Sequence, residues 1–145
     1  MKIKLKLAIL MFFLFTMAPA IPTLGGEKEK MKIKISSDHK VLTATLLDNA
    51  TSRDFMSLLP LTLTLKDYAG TEKISDLPRK ISTQGAPSGS NPSVGDITLY
   101  APWGNLAIFY RDFGYAEELI IMGKVASGLD KLSELDGKVT FERME

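Results

Sequence analysis

The 145-residue chain has no cysteine, a single histidine and a single tryptophan. Without cysteine there is no disulfide to staple the fold, no thiolate nucleophile and no zinc site of the usual kind, which needs Cys or several His. His39 lies between Asp38 and Lys40 in a polar stretch that reads as a solvated turn, so no base is left to serve a serine or cysteine triad. The carboxylates are scattered, without the Asp-x-Asp-x-Asp-Gly spacing that wraps calcium. Neither Gly123-Lys124 nor Gly137-Lys138 has a glycine five positions before its own, so a phosphate-cradling loop is missing as well. Gly85-Ala86-Pro87-Ser88-Gly89 is not a nucleophile elbow. The residues therefore imply no catalytic group, no metal and no cofactor.

Charge of one sign is scarce too, with 18 Lys and Arg against 17 Asp and Glu. Lys2, Lys4 and Lys6 stand apart at the N-terminus, followed by an apolar run from Leu7 to Met17 and the small-x-small triplet Ala18-Pro19-Ala20. That order of positive, apolar and small residues is a secretory signal, so residues 1–26 are expected to be a signal peptide cleaved near 20 or 25. The uncharged run continues to Gly26, which makes a retained membrane anchor the alternative. The rest of the chain, 27–145, keeps 15 basic against 17 acidic side chains and has the size of one domain. A weakly acidic exported domain has no means of holding a nucleic-acid backbone or an anionic membrane surface.

Met31 to Ile35 alternates apolar and charged residues, the pattern of a strand with one buried face, and Val41 to Leu47 follows as its hairpin partner. Asn49 and Thr51 are placed to cap a short helix through Phe55 and Leu58, and Thr51 with Asp54 has capping-box spacing. The capping use of Asn49-Ala50-Thr51 competes with its match to a glycosylation acceptor. Leu61 to Leu65 puts leucines on one face and threonines on the other, a turn runs from Lys66 to Thr71, and Glu72 to Leu77 is extended. Ser82 to Gly95, rich in Ser, Gly, Pro and Asn, reads as a long exposed loop. Strands are expected at Asp96–Tyr100, Leu106–Tyr110, Leu119–Val125 and Lys138–Arg143, with Ser127 and Asp130 capping a second short helix before the last. Many short strands with two brief helices make a mainly β fold, a small closed barrel.

Residues 100 to 115 hold six of the nine aromatics that remain outside the signal: Tyr100, Trp103, Phe109, Tyr110, Phe113 and Tyr115. Alternation puts Leu106, Ile108 and Tyr110 on one face of the hairpin, and Ala107 and Phe109 on the other. Such a stretch is either barrel core with amphipathic tyrosines at its rim, or the wall of a ligand groove. Arg111, just past the strand, can grip a carboxylate or carbonyl, or pair with Asp112. Tyr100, Trp103, Asn105, Tyr110 and Arg111 are the candidate ligand-binding residues, with a small molecule or a peptide as the expected partner.

Several blocks resemble the small bacterial and archaeal cyclophilin-like proteins: Asp48-Asn49, Leu58-Leu59-Pro60-Leu61, Asp67-Tyr68, Glu72-Lys73, Gly95-Asp96, and Met122-Gly123-Lys124. The most specific is Pro102-Trp103-Gly104-Asn105 leading to Ile108-Phe109-Tyr110. The resemblance implies an eight-stranded cyclophilin-like barrel. True cyclophilins are prolyl isomerases with a Gly-Thr-x-Phe-His-Arg segment; the comparable Gly70-Thr71-Glu72-Lys73-Ile74 lacks that arginine. Gln84-Gly85 at best echoes their Gln-Gly-Gly-Asp element. A non-catalytic binding module is therefore the first expectation, a divergent prolyl isomerase the second, and a protein-interaction scaffold the third.

Overall fold

The computed structural model describes residues 30–145. The expected signal segment and the charged spacer Glu27–Glu29 lie outside these residues. Alternating apolar side chains produce β1 (Met31–Ser37), β2 (Lys40–Leu46) and β3 (Leu61–Tyr68). They continue in β4 (Glu72–Asp76), β6 (Asp96–Tyr100), β7 (Asn105–Phe109), β9 (Leu119–Ser127) and β10 (Gly137–Arg143). These eight close in the order β1-β10-β3-β4-β7-β6-β9-β2, and every neighbouring pair is antiparallel. Closure leaves the barrel itself no sheet edge to template aggregation. Inward positions such as Ile33, Leu42, Leu65, Ile97, Ile108 and Phe141 fill the interior.

The barrel bends where β9 carries an extra residue. Ile97 faces Gly123 but Thr98 faces Ile121, so Met122 is a bulge. Its carbonyl accepts from Leu47 N at 2.7 Å and from Ser52 Oγ at 2.8 Å, and the Ile121 carbonyl accepts from Asn49 Nδ2 at 3.3 Å. Helix α1 (Ala50–Ser57) docks there, sending Phe55 into the core. Gly123, beside the bulge, lets β2 come close: a Cβ there would lie 2.5 Å from the Thr45 carbonyl oxygen.

Two capping expectations are corrected. Asn49 alone caps α1, its Oδ1 accepting from Ser52 N at 2.8 Å, while Thr51 is buried inside the helix. The second helix is a 3₁₀ turn (Leu129–Glu134) that starts from Gly128 at φ +80 with no side-chain cap. Ser127 Oγ is instead bonded to Thr43 Oγ1 at 2.6 Å. The left-handed glycine sets the turn that a serine cap would otherwise set. Strand β3 also runs through most of the turn expected at 66–71, leaving only Ala69–Thr71 to reverse the chain.

Asp54 serves the fold by reaching across to the segment after β4. It accepts from Arg79 Nη2 at 2.7 Å, from Arg79 Nη1 at 3.1 Å and from Ser82 N at 2.7 Å. The Arg79 guanidinium first, then the Ser82 amide, hold its carboxyl well below the usual range. A depressed folded pKa contributes stability above the ordinary carboxylate value of about 4, and that contribution fades as pH falls through the folded value. Asp54→Asn is expected to cost about 1 kcal/mol near neutrality and to flatten the loss of stability as pH falls from about 5 to about 2. Urea titrations of both proteins across that range check it.

Candidate functional site

The outer face of β4, β7, β6 and β9 carries an apolar patch of its own. Ile74, Ala107, Phe109 and Leu119 form a second buried cluster there, with Tyr100 and Ala116 packed on it. It is buried because the chain after β7 folds back over it. In that return β8 (Ala116–Glu117) pairs with β5 (Gly89–Ser90), Phe113 N donates to the Pro92 carbonyl at 3.1 Å, and Glu118 N donates to the Ser88 carbonyl at 2.8 Å. The segment 82–95, expected to be a long exposed loop, is largely exposed and is tied to this return by those bonds. Val94 N donating to Asp112 Oδ1 at 2.9 Å ties its end, which also takes Asp112 away from Arg111.

Between the returning segment and the barrel lies a cleft of about 300 Å³. Phe109, Leu119 and Asn105 are its buried residues. Tyr68, Trp103 and Phe113 are its exposed aromatics, with half-buried Tyr100 beside them. The Trp103 ring meets Tyr68 edge-on at 5.7 Å and Tyr100 at 5.3 Å. Phe113 lies 6.3 Å from Phe109. Edge-to-face pairs of this kind hold large rings in place with little side-chain freedom left to lose.

Three of the five sequence candidates, Tyr100, Trp103 and Asn105, line this cleft together. Tyr110 does not. It faces the barrel end, where its hydroxyl donates to Asp67 Oδ1 at 2.5 Å and its ring lies 5.5 Å from Lys73 Nζ. Lys73 is buried and 3.5 Å from the same carboxylate oxygen. The Tyr110 hydrogen bond holds the Asp67 carboxyl below its usual value and pushes the Tyr110 phenol up. Arg111 is exposed, stands outside the cleft lining and forms no ion pair among the described residues. Its guanidinium nevertheless acts on Tyr110 by charge, opposing the rise of that phenol.

The sequence reading missed Tyr68, Glu72 and Phe113. Glu72 faces Phe109 across β4 and β7, and Tyr68 faces Glu72 across β3 and β4. Glu72 is half-buried, and burial, then the charge of Asp67, pushes its carboxyl up. Among the described residues no three His, Cys, Asp or Glu side chains group as a metal site.

A model of the cyclophilin-like family matches residues 35–142. The chain belongs to that family. A hypothetical protein from Archaeoglobus fulgidus, solved in solution, has the same fold. It is 17% identical over 83% of this chain and 99% of that one, with a TM-score of 0.58. No curated protein matches. In this cyclophilin-like barrel the segment comparable to the isomerase motif, Gly70–Ile74, forms the β3–β4 turn and the start of β4. Its Glu72 lines the outer cleft, while Lys73 faces the Asp67–Tyr110 pair.

Proposed function

We propose that the protein is an exported, non-catalytic binding module whose outer cleft holds a small molecule or an extended peptide. The observation that carries it is the rim. Three of the eight exposed large hydrophobic residues among those described, Tyr68, Trp103 and Phe113, line this single cleft. Scattered exposed apolar residues are ordinary, but rings gathered around a concavity mark a binding surface. Export rests on the order of charge, apolar run and small residues at 1–26. Intact mass of the protein recovered from an exporting host is expected to show cleavage near residue 20 or 25.

Trp103 is the only tryptophan and is 59% exposed, so its fluorescence reports on the cleft without a label. A screen of small molecules and short peptides is expected to give ligands that shift its emission. Trp103→Ala, followed by calorimetry in place of fluorescence, should weaken those ligands at least about tenfold while changing stability by less than about 1 kcal/mol. Equal affinity of the variant would remove the cleft as the binding site. The same protein in a protease-coupled assay on proline peptides is expected to leave the uncatalysed rate of isomerisation, tens to hundreds of seconds, unchanged.

A further inference from the structure

Two acceptors on residues that line the cleft have no partner among the described residues. Asn105 is 4% exposed, and its Oδ1 has no hydrogen-bond partner. An unmatched buried amide oxygen is costly, and native structures keep few of them. Glu72 forms no hydrogen bond or ion pair among the described residues, and no cation is among the causes acting on its carboxyl. Lys73, its neighbour on β4, pairs with Asp67 instead.

The register sets these acceptors at opposite ends of the cleft. Glu72 faces Phe109 and Asp76 faces Asn105, four residues along the same strands and therefore about 13 Å apart between backbones at the rise of a strand. Between them stand the rings of Tyr68, Tyr100 and Trp103. Their faces carry negative charge density that favours a cation. An anion would meet Glu72 with Asp67 behind it. A purely apolar ligand would bury both acceptors unmatched. A bare metal ion would find one carboxylate among rings.

The geometry points to an elongated organic cation as the ligand: an apolar chain with a protonated amine at Glu72 and a second N–H or O–H donor that the buried Asn105 oxygen accepts once its amide turns toward the cleft the residue lines. This rests on the outer cleft being the binding site, as proposed above, and names the chemistry it selects.

Calorimetry on the full chain near neutral pH, with four probes of equal chain length, tests it. The probes are the terminal diamine of octane, octylamine, octanediol and octanoate. The diamine is expected to bind tightest, octylamine about tenfold more weakly for want of the second donor, and octanoate not at all. Octanediol should fall at least about tenfold below the diamine. Glu72→Gln should bring the diamine down to the level of the diol, and Asn105→Leu should erase the advantage of the diamine over octylamine. Glu72→Gln keeps the size and shape of a half-buried side chain that no hydrogen bond or ion pair among the described residues holds, so the variant is expected to fold; the ranking by the unaltered protein stands as a test on its own. Octanediol or octanoate binding as tightly as the diamine overturns the cation assignment and leaves the cleft as a binding site. If no probe binds while other compounds shift Trp103 emission, the assignment also falls and the binding module stands. If nothing shifts that emission or gives heat, both fall.

Discussion

Phe55→Ala is expected to remove about 3–5 kcal/mol of stability, read as a lower urea midpoint at an unchanged m-value. The side chain is fully buried and meets Phe141 edge-on at 6.0 Å. It is the one large apolar group among the three buried residues of α1, the others being Thr51 and Ser52. Eight residues are too few for a helix to persist in water by itself, so α1 exists because it is docked. Its docking consists of Phe55 in the core, Asn49 and Ser52 on the carbonyls beside the β9 bulge, and Arg143 Nη2 on the Met56 carbonyl at 2.8 Å. Removing the ring leaves a cavity and weakens the seating of those polar groups together, which puts the cost at the upper end for a large-to-small change. Against a typical total of about 5–15 kcal/mol, such a loss leaves a barely folded protein. Phe55→Leu, which retains most of the volume, should recover more than half of it. A loss below about 1 kcal/mol for the alanine variant would mean that α1 lies on the barrel without contributing to its core.

Much of the barrel was legible from local alternation. Met31–Ile35 and Leu61–Leu65 show the period of a strand with one buried face, and both formed strands with the expected side inward. Other features depend on partners distant in the chain. That β2 closes against β9 requires Gly123 opposite Leu46, and no local pattern marks the residue before it as a bulge. Capping signals were ambiguous for a physical reason. Asn49 and Thr51 are both competent caps, and burial of Thr51 decided between them. Ser127 and Asp130 had the right spacing, but Gly128 at φ +80 already turned the chain.

The same division runs through the cleft. Alternation along β7 put Phe109 on one face and Tyr110 on the other, and this is why Tyr110 left the cleft for Asp67. Tyr68 and Glu72 joined it through pairing across β3, β4 and β7, a register that a single strand does not encode. Phe113 joined it because the chain doubles back over an outer face that a barrel of this size would ordinarily leave to solvent. An apolar outer face needs a cover. The return of residues 111–118 covers Ala107 and Leu119 and stops short of Trp103, which leaves the opening.

Asn105→Leu is expected to raise stability by about 1–2 kcal/mol, seen as a higher urea midpoint. Most substitutions of a buried residue lower stability, so the sign is the informative part. Leucine has nearly the shape of asparagine and carries no polar atom, and here the amide oxygen it replaces is buried without a partner. Removing an unmatched acceptor recovers its desolvation cost, while the apolar side chain packs on the neighbouring Leu119 and Tyr100 of the cleft. Asn105→Asp should do the opposite, destabilising near neutrality because it buries a charge, and recovering as acid neutralises that charge. A protein that keeps a costly amide at the base of an aromatic cleft gains nothing from it in folding, and residues of that kind are retained where function trades against stability. If the leucine variant were less stable than the parent, Asn105 would be contributing to the barrel itself. The case for an acceptor left unmatched for a ligand would then be gone.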